Sequence, residues 1–300
     1  MKLLRFAAEG RESYGVQVGE SQILDLHVLS QLMKRSISSS LDTLIQSGEK
    51  ARRDSENLIK EAHDTNKALA LVPMKKAKLL APLVNPSKIV CLGLNYRDHI
   101  AEQNAATPDD LVIFMKPRTA IIGPNDFIIK PPFVSKLDYE AELAVVIGKK
   151  GRNISKEVAK QHIFGYTCFN DVSARDIQFK DKQWTRGKSF DTFAPIGPSI
   201  TTADQIGDPT NLRIRARVNG ATRQDSTTRN MVFDVCEVVH RLSQVMTLEP
   251  CDIIATGTPA GVGFAMKPEP QFLNVDDVVE IEIENIGLLR NRIDQQAKAA

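Results

Sequence analysis

The chain has 300 residues, 42% of them hydrophobic, enough for one large domain or two unequal ones. A formal charge of +2, with 6% aromatics and no basic run among them, excludes a nucleic-acid binder and names no polyanionic partner. No apolar stretch reaches the ~20 residues that span a bilayer, so no membrane association is expected.

Met1–Phe6 has no long apolar region or cleavage site, so it does not read as a signal peptide. Short β-like runs follow at Leu3–Ala7, Tyr14–Val18 and Ile23–Leu26. Leu41–Leu71 reads as helix with a charged, solvated stretch at Lys50–Asn57. Residues 1–70 are therefore expected to form a small N-terminal accessory domain. Pro73, Pro82 and Pro86 punctuate a linker over 71–85. The main domain, 86–293, opens with an apolar strand at Lys88–Gly93. A short helix comes next, with Asn95 as its expected cap and Asp98 three residues on. Residues 103–110 form a polar loop that could close as a lid. Leu111–Lys116, Leu137–Gly148 and Ile163–Asn170 read as strands, and Ser155–His162 as a short helix capped by Ser155. Asn219-Gly220 between two β-like runs marks a hairpin with a type I′ turn. Asp234–Met246 is an amphipathic helix with Val235, Val238, Val239, Leu242, Val245 and Met246 on one face. Cys251–Ala255 leads into a glycine-rich loop, Thr256–Gly263, whose hydroxyls and N–H groups suit an anionic ligand. Val278–Glu284 alternates as a strand with one wet face, and 294–300 is a polar tail. Strands dominate, so a β-rich α+β fold is expected. The cysteines, Cys91, Cys168, Cys236 and Cys251, are scattered in apolar settings without a C-x-x-C. They read as free thiols in a reducing compartment, which points to the cytoplasm.

The chemistry concentrates at a few spacings. Glu140 and Glu142 lie two apart on a strand, so they share a face at about 6.6–6.8 Å. A hard divalent cation such as Mg²⁺, Mn²⁺ or Ca²⁺ would relieve their repulsion; two solvated glutamates on a strand edge fit the same spacing. Asp171, at the end of Ile163–Asn170, supplies a third oxygen ligand or a turn cap. His99 and Glu102 are i and i+3 on a helix, a spacing shared by a carboxylate-held general base and a surface ion pair. Gly187-Lys188-Ser189 looks like the end of a P-loop, but its first glycine would be residue 182, a lysine, so a nucleotide site is rejected.

Five motifs in order resemble the fumarylacetoacetate hydrolase family: Asn95–Glu102, Leu137–Leu143, Asn170–Gln178, Gly187–Thr192 and Thr256–Gly263. The resemblance spans about 86–293 and implies a mixed β-sandwich roll and a homodimer. It implies one divalent cation, Mg²⁺ or Mn²⁺, on Glu140, Glu142 and Asp171, and a His99–Glu102 base on a helix that orders over the substrate. It implies Lys188 beside the metal and Gln178 and Thr258 on substrate oxygens, with Lys116 and Thr192 also near the site. The family's fumarylacetoacetases carry a tyrosine between the Gln and Lys motifs. Phe179–Gly187 has none, and the pattern is closer to the acylpyruvase and oxaloacetate decarboxylase branch.

The expected function is hydrolytic C–C cleavage of a 2,4-dioxo acid (an acylpyruvate) through its pyruvate enolate, with His99 activating water. Oxaloacetate decarboxylation or tautomerisation at the same site is the alternative. A metabolite binder without catalysis is a third reading, which the full acid–base set disfavours.

Overall fold

The computed structural model describes residues 1–295. Strand exceeds helix, 36% against 27%, so the expected β-rich α+β class holds. Among the described residues the strands form a twelve-stranded sheet, a five-stranded sheet and a two-stranded ribbon, all open.

Ala141–Ile147 lies inside the large sheet, antiparallel to Ile163–Asn170 on one side and to Ile253–Ala255 on the other. All seven of its residues are buried, as a run apolar on both faces requires. Alternation divides its side chains between two cores. Ala141, Leu143, Val145 and Ile147 pack with Ile214, Ile281 and Leu289 of the five-stranded sheet and with Val238 and Leu242. Ala144 and Val146 face the other way, toward Leu41, Leu44, Cys91 and Phe169.

The large sheet continues into the N-terminal segment. Lys2–Ala8 pairs with Ala194–Thr202, placing Lys2 opposite Thr201 and Leu3 opposite Ile200. The stretch expected as a linker carries two short strands: Leu71–Pro73 pairs with Gln22–Asp25, and Lys78–Leu80 with Lys2–Ala8.

The expected long N-terminal helix is three: Leu41–Gln46, Gly48–Glu61 and Asp64–Leu69. One break falls at Gly48, whose φ of 72° ends the first helix, so that a second starts there. The hairpin turn has the expected geometry, with φ of 51° at Asn219 and 79° at Gly220. Helix Val235–Val245 is capped by Asp234, which accepts the Glu237 N–H at 2.8 Å. It buries Val235, Val238, Val239 and Leu242, but Val245 is exposed. Asp294 and Gln295, expected in the tail, end the strand Gly287–Gln295; residues 296–300 lie outside the described residues. All four cysteines are free, three of them buried.

Candidate active site

The sheet breaks where the acidic residues begin. Leu137–Asp138 pairs with Ser173–Ala174, and Tyr139-Glu140 bridges from there to Ala141–Ile147. The Asp171 N–H donates to the Glu140 carbonyl at 3.0 Å, and the Glu140 N–H to Asn170 Oδ1 at 3.0 Å. This pairing brings oxygens of Glu140, Glu142 and Asp171 within 4.8 Å of one another. Glu142 and Asp171 are fully buried and Glu140 nearly so.

Three buried cations answer them. Lys188 Nζ donates to Glu140 Oε2 and to Asp171 Oδ2, each at 2.7 Å. Arg175 donates to Glu140 Oε1 at 2.6 Å, Asp138 Oδ2 at 2.9 Å and Gln178 Oε1 at 2.9 Å. Lys116 Nζ lies 2.7 Å from Asp171 Oδ1. Its hydrogen bonds, however, run to the carbonyls of Val172, Lys188 and Phe193 at 3.0, 2.6 and 2.8 Å. Lys116 therefore offsets the charge of Asp171 without an aligned hydrogen bond, and Asp171 Oδ1 stays unpartnered.

These contacts split the carboxylates. Burial raises the Glu140 pKa, but Lys188 and Arg175 outweigh it and hold the group well below the usual carboxylate range. Burial likewise works against charge on Lys188, and Asp171 and Glu140 outweigh it, so its pKa rises. Glu142 is pushed well above the usual range by burial and then by Asp171 and Glu140. One of its oxygens, Oε2, receives the Gly257 N–H at 2.9 Å; Oε1 has no partner. With Asp138, four buried carboxylates face three cations. An orphaned oxygen on Glu142, in a cluster of four carboxylates and three cations, fits a hard divalent cation. Glu140, Glu142 and Asp171 could hold such an ion.

The His99–Glu102 pair stands opposite. Helix Arg97–Glu102 has Tyr96 at its N-cap, and no side chain caps it. Asn95 is not the cap expected from the sequence. Its amide is buried, donates to the carbonyls of Phe233 and Thr256 at 3.1 and 2.8 Å, and accepts the Phe233 N–H at 2.9 Å. A side chain so engaged anchors the helix entrance and has nothing left for capping. His99 Nδ1 lies 2.6 Å from Glu102 Oε1. Glu102 Oε2 receives the Gly261 N–H at 2.9 Å, and the Tyr139 hydroxyl donates to the Gly261 carbonyl at 2.9 Å. Gly261 adopts φ of 101°, and a Cβ there would meet the Arg223 carbonyl oxygen at 2.1 Å, so the position requires glycine. The glycine-rich loop thus holds Glu142 through Gly257 and Glu102 through Gly261.

Between His99 and Glu140 lies a cavity of about 180 Å³. His99, Glu140, Gln178, Lys188 and Thr258 line it, as do Arg175 and Gln103. Leu92, Phe114, Phe179, Trp184 and Phe264 form its apolar walls. Thr258 Oγ1 accepts from Gln224 Nε2 at 2.8 Å. Of the residues expected at the site, Glu102, Glu142, Asp171, Lys116 and Thr192 are not on the cavity wall. Lys116 sits behind Asp171, and Thr192 uses its hydroxyl to accept the Ile129 N–H at 2.8 Å. Sequence reasoning missed Arg175, Asp138 and Gln103. For Arg175 a signal existed: a cation between Asp171 and Gln178, inside a motif whose other members are acidic or polar.

The model of the fumarylacetoacetate (FAA) hydrolase C-terminal family matches residues 88–294. The chain belongs to the fumarylacetoacetate hydrolase family. A mitochondrial oxaloacetate tautomerase of Xenopus laevis is 42% identical over 298 residues, 98% of this chain and 90% of that protein. The fumarylacetoacetate hydrolase structure from Exiguobacterium antarcticum superposes with a TM-score of 0.84 at 38% identity, covering 99% of this chain and all of that one. The maleylpyruvate hydrolase of Sphingobium sp. SYK-6, solved with manganese(II) and pyruvate, gives 0.79 at 30% identity with the same coverage. Among the described residues no helix is long and apolar enough to cross a membrane.

Proposed function

We propose that this member of the fumarylacetoacetate hydrolase family acts on a small 2-oxo acid by moving a proton at C3, with keto–enol interconversion of oxaloacetate as the primary reaction. The observation that carries this reading is the His99–Glu102 pair facing a buried cluster of cations and carboxylates across a small cavity. At about 180 Å³ the cavity falls below the ~300–1,000 Å³ of drug-sized sites and suits a four-carbon acid. The relatives named oxaloacetate tautomerase support it as well.

In this reading His99 Nε2 takes the C3 proton, and Glu102 holds the ring through Nδ1 and stabilises the imidazolium that forms. The C3–H pair moves into C2–C3 as charge grows on the 2-oxo oxygen, which takes a proton from water to give the enol. Ketonisation runs the same two transfers in reverse, with the imidazolium returning its proton to C3. Lys188, kept charged by Asp171 and Glu140, stabilises the 2-oxo oxygen. Gln178 and Thr258 contact substrate oxygens from the cavity wall. Glu140, Glu142 and Asp171 hold one Mg²⁺ or Mn²⁺, which when bound supplies Lewis-acid stabilisation of a chelating 2-oxo acid. Lys116 and Thr192 support the site from behind.

Hydrolysis of an acylpyruvate, the reaction expected from the sequence, is the second reading. The same His99–Glu102 pair could deprotonate water, and the Sphingobium neighbour is a maleylpyruvate hydrolase. The proposal also retains the division at residues 70 and 86, a cytoplasmic location suggested by the free thiols, and a homodimer implied by family membership. The Mg²⁺- or Mn²⁺-loaded protein should be assayed on enol-oxaloacetate and on acetylpyruvate. Faster ketonisation supports the first reading, acid release from acetylpyruvate the second, and CO₂ from oxaloacetate a decarboxylase. Inertness toward both substrates contradicts an enzyme of this kind.

A further inference from the structure

His99 Nε2, the ring nitrogen on the cavity side, already has a partner: Gln103 Nε2 lies 2.8 Å away. The amide's orientation follows from its second contact. The same nitrogen lies 3.4 Å from the His99 carbonyl oxygen, which can only accept, so the –NH₂ end must face it. An N–H is thus directed at the ring, and His99 Nε2 must bear the lone pair. The opposite nitrogen, 2.6 Å from the Glu102 carboxylate, carries the proton. The two contacts together match the Nδ1–H tautomer, with the lone pair of Nε2 turned to Gln103. That nitrogen has one lone pair, which cannot both accept the amide N–H and accept a proton from a ligand.

The fold allows this contact to be made and broken. Gln103 is the residue after helix Arg97–Glu102, with φ of −91° and ψ of −5°, and it is half-buried on the cavity wall. Asn104 follows at φ of 52°, and most of the loop to Asp110 is exposed. Turning the Gln103 side chain away moves no packed backbone.

We infer that Gln103 is a self-cap on the base: its amide occupies the lone pair of His99 in the free enzyme, and a productive ligand must displace it. The inference rests on the assignment of His99 as the base, and it makes Gln103 a positioning residue that raises the threshold for substrate. A hydrogen bond of this kind is worth about a 2- to 10-fold factor. Gln103→Met keeps the length and cannot donate; Gln103→Ala removes the group altogether.

The test reads His99 directly. Diethyl pyrocarbonate acylates an unprotonated, uncapped imidazole nitrogen, and peptide mass spectrometry resolves His99 from His27, His63, His162 and His240. In both variants His99 should be acylated about 2- to 10-fold faster than in the wild type, with His63 and His162 unchanged as references. The kcat/KM for oxaloacetate should rise by a similar factor. An unchanged His99 acylation rate in both variants overturns the cap. Faster acylation in a protein inert toward every 2-oxo acid tested establishes the cap and overturns the proposed function.

Discussion

On one side of the cavity, seven ionisable side chains are locked together with little or no exposure: Asp138, Glu140, Glu142, Asp171, Lys116, Arg175 and Lys188. On the other, a six-residue helix carries His99 and Glu102, tied down by the Gly261 N–H and capped by its own Gln103. The floor stands on central strands, and its charges are tolerable only because they answer one another. His99, the proposed base, stands on a short helix held by a few hydrogen bonds. A buried electrostatic floor can be preorganised for developing charge, whereas a base that must meet and release a proton gains from an element that can adjust. Damage to the floor should therefore appear as lost stability or lost ion binding, and damage to the helix as lost turnover.

The largest effects should divide along that line. Arg175→Met leaves Asp138 and Glu140 without their shared partner and should cost about 3–5 kcal/mol of stability, measured by denaturant unfolding. His99→Ala should lower kcat by about 10²–10⁴ while the unfolding midpoint and metal affinity barely move. A His99→Ala variant as unstable as Arg175→Met would erase the distinction between the two regions.

Glu142 gives the next effect. Metal at about 100 times its Kd should stabilise the wild type by about 2.7 kcal/mol, seen as a thermal shift reversed by chelator. Glu142→Gln should lose that shift, and the chelated variant should be more stable than the chelated wild type, because a buried oxygen without a partner has been neutralised. A full metal-induced shift in Glu142→Gln would remove Glu142 from the ion's site. The smallest effect belongs to the strap between the regions. Tyr139→Phe frees Gly261 and loosens the hold on Glu102, so kcat should fall about 2- to 10-fold with metal binding unchanged.

Much of this site can be read locally. Asp171 at a strand end and the i, i+3 pair of His99 and Glu102 follow from element geometry. The single strand expected over Leu137–Gly148 is broken at Tyr139-Glu140, yet the structure still brings Glu140 and Glu142 to the same place as the other three. What escaped depends on partners far along the chain. Asn95 looks like a cap until Phe233 and Thr256 claim its amide. Lys116 looks like a substrate contact until three carbonyls and Asp171 surround its ammonium. Arg175 gains its role only when Asp138 and Glu140 come within reach. The fold shows the same limit. Each N-terminal strand was legible from its own residues, but the pairing of Lys2 with Thr201 was not, because strand pairing over such a distance leaves no local pattern.

In the proposed reaction His99 moves a proton at C3 of a 2-oxo acid over the Glu140, Glu142 and Asp171 floor. The most direct measurement follows the ultraviolet absorbance of enol-oxaloacetate as it converts to the keto form, with Mg²⁺- or Mn²⁺-loaded wild type and His99→Ala side by side. Decay should be rapid with the wild type and near background with His99→Ala, although both bind the ion. Equal rates in the two proteins would contradict it.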